Sequence, residues 1–260
     1  MLSIWIGYLF FFFILWNTGH AFKAGISNIL KLQSQWHDPF FTDFWMGYIL
    51  ITVILEIYSV FYRIDKYAVL ILFLFSILSL ILFHKSIFTT IRTYFFDNKY
   101  LLILMLVSGL YCASQASKTT QWFDTYLYHL NMVKWLSEYP TVPGLVNLHG
   151  RLAFNSSFHL FAAFTDFLIW QDRSSYLALS LLYWVLITQL IYSAVNFFKD
   201  EKNRNLENLY SLFMLICIFR IIICGPEWEN GFSSLSTDHV IYLFVIITVK
   251  YLLSLNFYEK

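Results

Sequence analysis

The sequence predicts an all-α, polytopic integral membrane protein. About seven transmembrane helices are expected, plus one re-entrant or half helix and an interfacial amphipathic helix in a large external loop. Composition is the first observation behind this: the 260 residues are 59% hydrophobic and 13% charged, against about 25% charged in ordinary soluble domains, and the mean hydropathy is +0.62. The second is the recurrence of apolar stretches near the roughly 20 residues that cross a bilayer. The third is a polar interruption, residues 116–158, which gathers Asp124, His129, Lys134, Glu138, His149, Arg151 and Asn155. A formal net charge of +1 without a dense Lys/Arg run argues against nucleic acid as a partner.

The apolar stretches fall at about 2–19, 44–62, 67–84, 100–116, 175–197, 208–225 and 239–257. The first has no Lys or Arg before its core and no small-residue cleavage site, so it reads as a retained span rather than a signal peptide. Cys112, Cys217 and Cys224 lie in or at the ends of apolar stretches without metal-ligand spacing and read as small apolar residues. No internal repeat divides the chain, which is expected to form a single transmembrane domain over 1–260. The aromatic content is not a functional clue.

Orientation follows from the basic residues, which accumulate in cytoplasmic loops. Lys23 with Lys31, then Lys85, Arg92 and Lys99, then Lys199, Lys202 and Arg204 mark three inside connections, whereas 226–238 has no Lys or Arg and belongs outside. If 84–99 and 198–206 are both inside, the segment Ser156–Trp170 has no crossing to make. It is short and carries His159 and Asp166, polar groups tolerated where a re-entrant or half-depth helix is buried in protein.

Within the loop, Asp124–Tyr139 sets Leu127, Leu130, Val133 and Leu136 at helical spacing with polar residues between them, the pattern of a helix lying on the bilayer surface. Asp124 stands where a carboxylate can cap free N–H groups. Pro140 and Pro143-Gly144 stop the helix, and Asn147, His149, Gly150, Arg151, Asn155, Ser156 and Ser157 follow, a set suited to holding a polar head group beside a lipid tail. His129 lies five residues beyond Asp124, about 500° around an α-helix, so the two converge only if Asp124 stands outside the helix.

The stretches FDTYLYH (Phe123–His129) and WLSEYPTVPGLVNLHGRLAFNSSF (Trp135–Phe158) resemble the signature of a family of uncharacterised bacterial polytopic membrane proteins. That family is similar in layout to the GT-C glycosyltransferases, which take a sugar from a polyprenyl-phosphate carrier on the outer face of the membrane. A looser likeness extends to SSLSTDHV (Ser233–Val240), where an acidic residue opens a late span. The resemblance implies a bacterial cytoplasmic-membrane protein with Asp124 as catalytic carboxylate and Asp238 as a substrate-binding acid. Three spans precede the signature loop where GT-C enzymes usually have one, and the layout allows for a longer architecture beyond Lys260.

The chemistry is arguable from residue types alone. Transfer from a phosphate-linked sugar needs a carboxylate to deprotonate the acceptor or hold a divalent metal, and cationic or hydroxyl groups to neutralise the departing phosphate. Asp124 offers the first; Arg151, Lys134 and His149 offer the second, with Arg151 able to engage two phosphate oxygens together. His129, Asn155 and Asp238 complete the candidate substrate-binding set.

Plainer roles stand beside these. Asp124 and Asp238 suit helix caps, Arg151 suits a lipid-phosphate anchor or a pair with Glu138, and His149-Gly150 suits a turn. Asp166 and Arg220 suit structural pairing, and Glu56 is a candidate to face the protein interior. No HExxH, phosphate-binding glycine loop or Ser-His-Asp order is present. The expected function is transfer of a sugar from a polyprenyl-phosphate carrier to a cell-surface glycan or lipid, with membrane lipid as the other partner. The alternatives are a non-catalytic or truncated membrane subunit, or a transporter or flippase of lipid-linked saccharides.

Overall fold

A computed structural model describes residues 1–31, 38–96, 98–120, 123–153, 156–199, 201–224 and 228–255. Among them the protein is helical throughout and contains no strand. The helices are α1 (Leu2–Ile29), α2 (Pro39–Phe61), α3 (Lys66–Leu82), α4 (His84–Ile91), α5 (Lys99–Ala116), α6 (Leu130–Glu138), α7 (Ser157–Thr165), α8 (Ser174–Lys199), α9 (Leu206–Cys224) and α10 (Thr237–Leu255). Each of the seven apolar stretches is therefore a helix. Four of them, α1, α2, α8 and α10, are long and apolar enough to cross a membrane, and α3 qualifies if counted with α4, to which it is bent by 86°. The bend follows Leu82, where apolar sequence gives way to the amphipathic HKSIFTTI of α4.

Helix α8 is the axis of the bundle. Every residue from Leu177 to Leu190 is buried, against α5 and α9 on two sides and α7 and α1 on others. Helices α1 and α2 run back to back at backbone contact, because Gly19 and Gly47 face the opposing main chain; a Cβ on Gly19 would collide with the carbonyl of Asp43, and one on Gly47 with that of Leu15. The aromatic residues of α1 fill the core, with Tyr8 stacked on Trp184 at 5.4 Å and Phe12 on Phe44 at 5.3 Å. The outer flanks stay apolar and exposed: Ile49, Val53 and Ile57 on α2, Leu70, Leu74 and Leu78 on α3, Ile103, Leu106 and Leu110 on α5, and Ile241 and Val245 on α10.

The bundle has two ends. At the loop end, Trp170 Nε1 donates to Ser3 O at 2.7 Å, Ile64 N to Leu136 O at 2.8 Å and Thr141 N to Ser59 O at 2.7 Å. At the far end, His20 meets Ser86 at 3.1 Å and Tyr100 donates to Asn196 at 2.7 Å. Helix α7 enters and leaves at the loop end. Its nine residues extend about 14 Å, half of a roughly 30 Å hydrocarbon core, and Phe158–Thr165 are all buried. Ser156 caps it, accepting from Phe158 N at 3.3 Å.

Three expectations are corrected. Asp124 makes no side-chain cap bond; it already has helical backbone angles, and a π-helical turn, Thr125–His129, follows it. The helix of the loop is thus a π turn leading into α6 rather than one regular α-helix. Glu56 is exposed on α2 rather than turned inward. The side chain of Arg220 lies outside the described residues.

Candidate functional site

The π turn decides how the signature helix presents its side chains. In an i→i+5 turn, residues five apart return to nearly the same face, as the bond from Leu130 N to Thr125 O records. Asp124 and His129, about 140° apart on an α-helix, therefore lie nearer to one face here. It is the widened helix, not a place outside it, that turns Asp124 toward the face of His129.

A second segment is stitched onto this turn. Ser234 Oγ lies 3.3 Å from Thr125 Oγ1, Leu235 N donates to Thr125 Oγ1 at 3.3 Å, and Ser233 Oγ donates to Lys118 O at 2.9 Å. These bonds seat the SSLS run against the signature helix and so deliver the next residues, Thr237 and Asp238, to the same place. Helix α7 supplies the third wall: the His159 ring sits 5.1 Å from that of His129.

The three segments enclose a cavity of about 930 Å³. Its polar part is lined by Tyr128, His129, Ser156, Ser157, His159, Thr237 and Asp238. Its apolar part runs between α2 and α10 past Ile49, Ile241, Phe244 and Val245. A second cavity continues along the same seam past Trp45, Ile247, Tyr251 and Leu255, sharing Ile49, Phe244 and Thr248 with the first. The result is a groove with a polar head at the loop end and an apolar length beyond it.

Arg151 stands at the edge of this head. It donates to Asp124 Oδ1 at 2.8 Å, and its guanidinium lies 5.2 Å over the ring of Tyr128, a lining residue. Both partners of the pair are about half exposed. Arg151 therefore pairs with Asp124, not with Glu138. Asp238 is exposed in the first turn of α10. Burial pushes the His129 pKa below the usual imidazole value, while Asp124 and Asp238 pull it back.

Not every expected residue joins the site. Lys134 points to Asp172 at 3.9 Å on the surface. His149 accepts from Arg151 N at 3.3 Å and thereby makes the turn that aims Arg151. Asn155 lies outside the described residues. His159, Tyr128 and Tyr48 line the cavity without having been placed in the site from sequence; the signal for His159 was an ionisable residue inside an apolar segment. Among the described residues no three His, Cys, Asp or Glu are grouped to hold a metal ion.

The chain matches, over residues 1–259, the model of a family described as a domain of unknown function, DUF8201, and belongs to that family. No curated protein and no solved structure matches it.

Proposed function

We propose that this DUF8201 member is a multi-pass membrane enzyme that transfers a sugar from a polyprenyl-phosphate carrier to a cell-surface glycan or lipid. In this reading seven helices cross the bacterial cytoplasmic membrane, α7 dips to half depth, and the loop end faces outward. The three clusters Lys23/Lys31, Lys85/Arg92/Lys99 and Lys199/Lys202/Arg204 then share the cytoplasmic side. The observation that carries the proposal is the shape of the cavity: a polar head flanked by an ion pair, continuous with an apolar seam that opens along α2 and α10. A long-chain lipid phosphate has that same division.

In the proposed reaction the acceptor hydroxyl oxygen bonds to the anomeric carbon and its proton passes to Asp124. The bond from that carbon to the carrier phosphate oxygen breaks, and the phosphate keeps the electron pair. Arg151 takes the growing phosphate charge through two parallel N–H bonds. Because the same guanidinium holds Asp124 in the free protein, arrival of the phosphate draws Arg151 away and leaves the carboxylate free to act as base. Asp238 orients the substrate from the opposite wall.

The test is transfer of labelled sugar from a panel of polyprenyl-phosphate sugars in membranes holding wild type or Asp124→Asn at matched expression. Transfer by wild type that disappears in the variant is the expected result. No transfer from any donor by wild type overturns it. A flippase reading draws on the continuation of the groove to the far end; movement of the labelled carrier across sealed vesicles without transfer would favour it.

A further inference from the structure

We propose that His129 and His159, together with Asp238, form a hydroxyl-recognising subsite that holds a saccharide ring in the head of the cavity. This deepens the transferase reading and rests on it for the identity of the ligand.

His159 is 2% exposed and lines the cavity. Beyond the backbone of Leu235, which approaches its ring, neither ring nitrogen of His159 has a hydrogen-bond partner among the described residues, and Nδ1 of His129 is likewise unpartnered. Buried polar groups are normally satisfied, and leaving one without a partner costs stability. Two such imidazoles 5.1 Å apart at the edge of a cavity offer more hydrogen-bonding atoms than the surrounding residues satisfy, and so point to a ligand.

The chemistry of that ligand follows from the donors and acceptors. A neutral imidazole offers one N–H and one bare nitrogen, and a carboxylate offers acceptors only. A hydroxyl both donates and accepts, so adjacent hydroxyls on a sugar satisfy the two imidazoles and Asp238 together. A phosphate has no proton to give Asp238 and is repelled by it; its partner is Arg151 at the rim. Tyr48, Tyr128 and Phe158 also line the head, and their ring faces carry the negative charge density that the C–H face of a sugar ring meets favourably.

The experiment uses the full chain in phosphatidylcholine nanodiscs and follows carbethoxylation of each histidine by diethyl pyrocarbonate with peptide mass spectrometry. Octyl β-glucoside is compared with an octyl polyoxyethylene ether of the same tail. Modification of His129 and His159 is expected to slow by at least about fivefold with near-saturating glucoside and to be unchanged by the ether. Exposed His84 and His149 serve as references that react equally throughout. Equal slowing by both amphiphiles, no slowing by either, or no reaction at His159 while the references react would each overturn the subsite.

A second measurement separates ligand binding from structure. His159→Phe is expected to keep or raise the Tm while abolishing glucoside protection at His129. A marked fall in Tm would mean that the His159 nitrogens serve the fold, and would overturn the proposal. Protection without sugar transfer keeps the subsite and removes the transferase reading; transfer without protection does the reverse.

Discussion

At the far end of the bundle Asp43, Lys250 and Glu207 are as deeply buried as His129 and His159 are at the loop end, yet their surroundings differ in kind. Asp43 pairs with Lys23 and, at 2.8 Å, with His20. Lys250 pairs with Glu207 and lies 3.8 Å from Asp38, which also accepts from Tyr94 at 3.0 Å and from Gln189 at 3.2 Å. Gln189 in turn accepts from Trp45 at 2.9 Å. Five helices, α1, α2, α8, α9 and α10, are tied together by these contacts. At the loop end the buried imidazoles keep unpartnered nitrogens and face open volume. The difference separates two uses of buried polarity: charges with partners specify how helices dock, whereas unpartnered groups beside a cavity mark where something binds.

The comparison breaks most sharply at the far end. Lys250→Met leaves Glu207 and Asp38 buried without their cation and is expected to cost about 3–5 kcal/mol. Thermal unfolding in detergent measures this, and a further Glu207→Gln change should recover part of the loss. A change under about 1 kcal/mol would mean that the network is not structural.

Gly19→Leu tests the neighbouring helix contact. The side chain would have to displace the α2 backbone, so a loss of about 1–3 kcal/mol or more is expected, read as a lower yield of folded protein and a lower Tm.

The loop end should respond in activity instead. Asp124→Asn is expected to lower transfer by about 10²–10⁴-fold while changing stability by no more than about 1 kcal/mol, because the pair with Arg151 is half exposed. Equal losses of activity and stability would reduce Asp124 to a structural partner of Arg151.

Acid gives a smaller, graded effect. Burial lowers the His129 pKa in the folded chain, so the unfolded chain binds the proton more readily. The stability associated with this group is complete above about pH 6.5 and is lost as the pH falls through the lower folded-state value. His129→Phe should flatten that part of the pH–Tm curve; an unchanged curve would show that the imidazole is solvated. Smallest of all, Lys134→Ala removes only a 3.9 Å surface pair with Asp172. It should shift stability by less than about 0.5 kcal/mol and leave transfer intact, in contrast to Arg151→Ala.

Much of the site was legible as residues but not as geometry. Asp124, Arg151, His129 and Asp238 stand out because polar groups are rare in this chain, and the SSLSTDHV run was visible as the opening of a late span. Their meeting depends on a π turn, whose extra width no residue spacing announces, and on hydroxyl bonds between Ser234, Leu235 and Thr125, more than a hundred residues apart. Lys134 and His149 are of the right chemical type, but α6 turns one toward Asp172 and a backbone bond fixes the other. The far-end network escaped notice because Asp38, Asp43 and Glu207 sit at the margins of apolar stretches, where each reads as a solvated flank, and because Lys250, inside the last stretch, has no partner near it in sequence.

What the sequence determined by itself was the helical class, the positions of the seven apolar helices and the short buried helix α7. These follow from local rules: long apolar runs satisfy their own backbone hydrogen bonds as helices, and the short apolar segment Ser156–Trp170, with His159 and Asp166 inside it, reads as a short helix buried in protein. Only the tertiary structure decided which polar groups are partnered. Closure of Lys250 on Glu207 and the seating of Ser234 and Leu235 on Thr125 beside the cavity each depend on segments distant in sequence arriving at set depths and rotations, and that is fixed by the summed packing of the whole bundle.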